Sequence, residues 1–184
     1  MFKKINVSLK YSDIEYKDKV TEYGIPLTVN GEQKLSICYH NFVGDVYNQL
    51  LSLIPEQHRR KFQAQVMEII GYIGPHTDSD ILCTVNFYVE VTGEHTVFFS
   101  LNENAVGTIS TNQTNGRSFA FKDVTKVDSF VAESGDIWIL DVTKPHCVLP
   151  SKERVKRKAI VLSTNYFTYQ EVLDMIENRI RKGE

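Results

Sequence analysis

From residue 63 to residue 164 the chain is dominated by short apolar runs of extended character, at 63–72, 81–91, 96–101, 118–122, 136–141 and 156–164. Runs of this length, rich in β-branched and aromatic residues and bounded by polar turns, fold as strands. The period turns helical on either side of them. Val46, Tyr47, Leu50, Leu51 and Ile54 share one stripe that Pro55 stops, and 56–61 forms a further helical turn. Downstream, Thr168-Tyr169-Gln170-Glu171 spells a capping box and Val172, Met175, Ile176 and Ile180 make an apolar stripe. Residues 1–40 add strand-like pieces at 5–9 and 34–38 around the turn Val29-Asn30-Gly31-Glu32. The pattern predicts a mainly β fold, a sandwich or open barrel with flanking N- and C-terminal helices packed outside.

With 184 residues and no repeat, low-complexity tract or linker, one domain over 1–184 is expected. The formal net charge of −2 argues against a general nucleic-acid binder. Cys38, Cys83 and Cys147 have neither disulfide-framework nor CxxC spacing and suit a reducing compartment. The start, Met1-Phe2-Lys3-Lys4-Ile5-Asn6, lacks a secretory apolar core, and no apolar run has the length of a membrane span. A cytoplasmic protein without a membrane partner is the expectation; the sequence sets no oligomeric state.

The chemistry concentrates in His76-Thr77-Asp78, His146 and Arg157. Residues i and i+2 of an extended chain point the same way, so His76 and Asp78 can reach one ion. His146 follows another extended run, Gly135-Asp136-Ile137-Trp138-Ile139-Leu140-Asp141, from which a neighbouring strand can bring it to the same ion. Two imidazoles and a carboxylate occupy one face of an octahedral metal and leave the opposite face open, a set that selects non-haem Fe(II). Arg157 shares a strand face with Ala159, Val161 and Ser163, a small and mostly apolar row suited to an interior. Arg154, in a polar turn, reads as solvated. On 81–91, Thr84, Asn86 and Tyr88 share one face and Cys83, Val85 and Phe87 the other. The polar trio reads either as a site face or as the solvent face of an edge strand.

These residues resemble the Fe(II)/2-oxoglutarate-dependent dioxygenases, whose double-stranded β-helix (a jelly-roll, cupin-like fold) carries an HxD…H triad and a basic residue shortly beyond the last His. The strand 135–141 before His146, the stretch Leu51-Ser52-Leu53-Ile54-Pro55 and the run 65–76 look most like the aspartyl/asparaginyl β-hydroxylase and free-proline hydroxylase branch. The resemblance covers roughly residues 46–165, with the β-helix core over about 63–165. It implies an oxidoreductase, a hydroxylase in which Fe(II) is bound by His76, Asp78 and His146 and in which 2-oxoglutarate and O2 are cosubstrates. It implies further that Arg157 anchors the far carboxylate of 2-oxoglutarate and that Tyr88, with Asn86 and Thr84, contacts the cosubstrate. A buried guanidinium is costly without an anion, and that carboxylate would supply one. Some members of the branch lack the carboxylate ligand; Asp78 favours hydroxylation over halogenation, because halogenases vacate that position for chloride.

The substrate is expected to be a small molecule or a peptide, with an amino acid, free or in a peptide, as the branch implies. A nucleobase or other metabolite is an alternative, and a non-enzymatic or cosubstrate-free cupin-like metal-binding module is another. His40, His58 and His95 read as structural or surface residues, and Cys147 should point away from any metal that His146 faces. The polar stretch 102–117 is a candidate lid, and the basic cluster 152–158 reads as a solvated loop entering a strand.

Overall fold

The computed structural model describes residues 1–10, 14–29, 31–109, 116–150 and 156–183. Three strands come first, β1 (Phe2–Ile5), β2 (Glu15–Val29) and β3 (Glu32–Val43). Helix α1 (Asp45–Ser52) and a 3-10 turn (Glu56–Lys61) lead into β4 (Gln63–Ile69), β5 (Ile73–Thr77), β6 (Cys83–Glu90) and β7 (His95–Leu101). The two-residue strands β8 (Thr108–Ile109) and β9 (Arg117–Ser118) follow, then β10 (Val124–Val131) and β11 (Ile137–Leu140). β12 (His146–Leu149), β13 (Arg157–Thr164) and helix α2 (Tyr169–Lys182) come last.

One sheet runs β1-β11-β6-β13-β4-β3-β2 and the other β10-β7-β12-β5-β9-β8. Their pairing is that of a ribbon folded on itself. β4 pairs antiparallel with β13, β5 with β12, β6 with β11 and β7 with β10, and successive pairs alternate between the two sheets. Folding a two-stranded ribbon this way gives a double-stranded β-helix, the jelly roll in which two sheets face each other. The molecule is therefore mainly β.

The helices explain why β6 and β13 are buried on both faces. Val46 and Leu50 of α1 and Val172 and Ile176 of α2 pack with Val85, Phe87, Ile137, Ile139, Ile160 and Leu162, covering the outer face of the larger sheet. Its inner face carries Tyr88, Leu140, Ala159 and Val161 against Phe98 and Phe130 of the smaller sheet. The capping box forms as expected: Glu171 N–H donates to Thr168 Oγ1 at 3.4 Å and Thr168 N–H to Glu171 Oε2 at 2.8 Å. Ile180, placed on the apolar stripe, is exposed instead, because the last turn of α2 runs past the core.

Several expected boundaries move. The first strand is Phe2–Ile5 rather than 5–9, and strand character expected over 118–122 ends at Ser118, where a 3-10 turn (Phe121–Asp123) takes over. On either side of the expected turn, β2 and β3 pair as a long hairpin that extends the larger sheet, with Val29 opposite Glu32; position 30 lies outside the described residues. β8 pairs with β9, so part of the candidate lid belongs to the smaller sheet; positions 110–115 lie outside the described residues. Among the described residues no helix is long and apolar enough to cross a membrane.

Ile160 is fully buried beneath both helices. Ile160→Ala should cost about 2–5 kcal/mol in denaturant unfolding and leave metal affinity at its wild-type value, since its side chain points away from the inner face. A change in metal affinity without loss of stability would contradict this assignment of faces.

Candidate metal centre

The ribbon pair β5–β12 brings the two histidines together. His146 lies directly opposite His76 in the register, and their ring centroids are 4.3 Å apart. Asp78 follows β5 by one residue, its backbone N–H held by the Val142 carbonyl at 3.1 Å, and its Oδ1 lies 3.5 Å from His76 Nε2. One donor atom from each of the three residues lies within 4.8 Å of the others, the span of a single ion's coordination shell. His76 and His146 are buried, and each Nδ1 bonds a backbone carbonyl, Gly74 at 2.9 Å and Lys144 at 3.0 Å. Those carbonyls fix the Nδ1–H tautomer and turn each Nε2 lone pair inward.

Burial, together with the neighbouring His146, lowers the His76 pKa to about 3, outweighing the opposite effect of its Gly74 bond. The ring is thus neutral and able to ligate at neutral pH. Burial pushes the Asp78 carboxyl above the usual carboxylate range and His146 pulls it back. The set of two imidazole nitrogens and one carboxylate fits a divalent transition metal, with the fit resting on these orientations.

Beside the triad lies a narrow cavity of about 60 Å³ whose lining includes Thr84, Asn86, Thr96 and Arg157. β6 is a central strand, paired with β11 on one side and β13 on the other, so Thr84, Asn86 and Tyr88 do not form a solvent face. Thr84 Oγ1, Asn86 Oδ1 and Tyr88 OH are buried without a hydrogen-bond partner among the described residues. Three such atoms in a row on one strand face are an unmet polar demand of the kind that a ligand or ordered water satisfies. A wider cleft of about 280 Å³ also reaches His76 and Asp78, and Tyr23, Tyr39, Gln63 and Gln65 line it.

Arg157 is buried and faces inward as expected, but the reason given for an external anion is overturned. Its Nε–H donates to Glu94 Oε1 at 2.6 Å, Nη1 to Thr96 Oγ1 at 2.8 Å and Nη2 to the Glu94 carbonyl at 3.4 Å. The guanidinium carbon also lies 5.1 Å from the centroid of the Tyr88 ring. Glu94 was not anticipated: after Gly93 it reads as the tip of a hairpin. Counting back by twos from Phe98 through Thr96 would have placed it on the inner face of β7. Tyr39, Gln63 and Gln65 were also missed, because β3 and β4 show no site pattern in the sequence.

The remaining residues take the bland roles foreseen for them, or contact residues outside the centre. Cys147 is buried on the outer face of the smaller sheet with Val97, Phe99 and Val124, and burial pushes its thiol up to about 12. His40 contacts Cys38 Sγ at 3.2 Å, His58 packs edge-on against Phe167 and His95 is exposed. Trp138 stacks on Phe130 at 3.9 Å and donates to Asp136 at 3.2 Å. In the basic cluster, Lys156 pairs with Glu90 and Lys158 with Glu68, while Arg154 lies outside the described residues.

No family model matches the chain, and no curated protein matches it. Among solved structures it is similar to that of E. coli ycfD, at 11% identity over 80% of this chain and 38% of that chain, with a TM-score of 0.44. It is similar also to vicilin from Corylus avellana (hazelnut), at 14% identity over 76% of this chain and 30% of that chain, with a TM-score of 0.37. The chain spans well under half the length of either.

Removing Arg157 strands a buried carboxylate. Arg157→Ala should destabilise the protein by about 3–5 kcal/mol, measured by denaturant titration without added ligands. Unchanged stability would mean that Glu94 is solvated in solution.

Proposed function

We propose that this protein is an Fe(II)-dependent dioxygenase driven by a 2-oxo acid, with 2-oxoglutarate the member that the sequence pattern names, and that it hydroxylates an unactivated C–H bond. The observation that carries this reading is the convergence of His76, Asp78, His146 and the inward-facing Arg157 on one cavity between the sheets. A three-residue facial set leaves coordination positions open for a chelating cosubstrate and oxygen. Fe(II) bound there with the oxo acid and O2 would supply the oxidising power. The chain's own residues hold, orient and shield: both imidazoles are locked by backbone carbonyls, and Leu140, Val142 and Val148 keep the cavity apolar on one side. In the unmet row, the hydroxyls of Thr84 and Tyr88 supply neutral donors for the oxo acid.

The substrate enters by the wider cleft in this reading. Its described lining residues include no Lys or Arg, and its polar groups are mostly amides and hydroxyls. A free amino acid would bring a carboxylate with no cation to meet it, which is costly in a partly enclosed site. An amino-acid side chain within a peptide suits this cleft better. The second reading, a cupin-like metal-binding module without a cosubstrate, draws on Glu94, since a guanidinium that is already paired needs no ligand.

Anaerobic addition of Fe(II) and then 2-oxoglutarate separates the two. The enzyme should give a metal-to-ligand charge-transfer band; folded, metal-loaded protein without that band would favour the module. His76→Ala and His146→Ala should each weaken Fe(II) binding by at least about 100-fold, more than losses around a metal's ligands cost, while the β core stays folded. Wild-type affinity in either variant would sink the triad. Asp78→Ala should lose hydroxylation, and unchanged turnover would remove Asp78 from the ligand set.

A further inference from the structure

The Arg157–Glu94 pair is shielded from solvent at the inner end of the cavity that Arg157 lines. Their side chains are 2% and 1% exposed. Glu94 Oε1 receives Arg157 Nε–H, and Oε2 receives the Thr92 N–H at 2.8 Å and the Thr92 hydroxyl at 3.3 Å. Burial alone would raise the Glu94 pKa, yet Arg157 and the backbone N–H groups hold it below the usual carboxylate range, so the pair is ionised. A guanidinium carries five N–H donors. Three are engaged by Glu94 and Thr96, which leaves one on each Nη without a partner among the described residues, and Arg157 lines the cavity.

A ligand carboxylate placed on those two donors would feel Arg157 and, a few ångströms further, the full negative charge of Glu94. The attraction of an ion pair for a third charge is the difference of two Coulomb terms, and it is far smaller than that of a lone cation. A neutral ligand end that carries an acceptor, such as a ketone oxygen, loses nothing, since it can still accept the two N–H bonds. Along the cavity the other unmet atoms, on Thr84 and Asn86, are likewise uncharged.

We propose that Glu94 determines cosubstrate specificity: by holding Arg157 as a preformed neutral pair, it lets the cavity take 2-oxo acids whose distal end is uncharged at least as readily as 2-oxoglutarate. The proposal rests on the metal and oxo-acid reading above, which treats the C1 carboxylate and keto oxygen as the metal-binding end. Glu94 acts through Arg157, and its removal turns the inner end of the cavity from neutral to cationic.

The test compares 2-oxoglutarate with 2,5-dioxohexanoate, an oxo acid of nearly the same shape in which an uncharged methyl ketone replaces the distal carboxylate. Each is titrated anaerobically into the Fe(II)-loaded protein and followed by the charge-transfer band. In the wild type the two dissociation constants should agree within about threefold, well under one decade in binding free energy. In Glu94→Gln the ratio should move toward 2-oxoglutarate by more than about tenfold, the scale of an unscreened buried charge pair. Because that variant strands Arg157 and can lose stability, the double variant Glu94→Gln, Arg157→Gln is measured beside it. It is neutral as the wild-type pair is, and its ratio should return to the wild-type value. A wild-type preference for 2-oxoglutarate above tenfold that the double variant abolishes would overturn the proposal and leave the oxygenase reading standing. Binding of neither acid to any of the metal-loaded proteins would overturn both.

Discussion

Every second residue of β6 and β13 faces away from the helices, and that alternation is what the candidate site hangs on. With α1 and α2 covering one face, Cys83, Val85, Phe87, Ile160 and Leu162 satisfy the core, and their neighbours in sequence must face the other sheet. Thr84, Asn86, Tyr88 and Arg157 are thereby carried into the interior by the burial of residues that have no chemical role. A one-residue slip would exchange the two sets and place a guanidinium under the helices. The apolar contacts therefore fix the register of the polar row, and the row gains its low-dielectric surroundings from the same packing.

That setting makes the charge inventory decisive. A cation buried as completely as Arg157 must have an anion, and the chain supplies its own from the residue just before β7. The pair gives the inner cavity a rigid end with little net field, unlike the triad end, where two imidazole nitrogens and the Asp78 carboxylate gather a demand for positive charge. The cavity is thus polarised along its length. A bound cation neutralises one end, and the other is already balanced.

Much of this was legible in the sequence, and the reasons differ by element. The motif His76-Thr77-Asp78 with His146 was readable because ligands two apart on an extended chain share a face whatever the fold around them. The inner faces of β6 and β13 were readable from period two. Strand β2 was not: its pairing with β3 shifts register at three places, Tyr16/Lys19, Lys19/Thr21 and Tyr23/Pro26, which breaks the alternation. β10 hides for a related reason, since most of its residues are exposed and it carries an irregularity between Lys126 and Asp128. β5 and β12 are too short to show any period, and Gly74-Pro75 inside β5 reads as a turn. Glu94 was hidden by the habit of assigning charged residues near a glycine to solvent; only the tertiary structure reveals that Arg157 lies opposite.

The two histidines show how little of the metal centre depends on distant contacts. His76 bonds the carbonyl of residue 74 and His146 that of residue 144, so each ring is braced by the peptide two positions before it. The same local device appears on two antiparallel strands that face each other in register, and it orients both Nε2 atoms toward the same point. Asp78 has no such brace in its own strand; it is positioned through the Val142 carbonyl, just beyond β11. Two ligands are therefore set by sequence-local geometry and the third by the closing of the ribbon, when the segment leaving β11 comes to lie beside Asp78. Metal affinity in this arrangement depends on the β-helix being complete, because the carboxylate reaches its place only when β5, β11 and β12 have assembled.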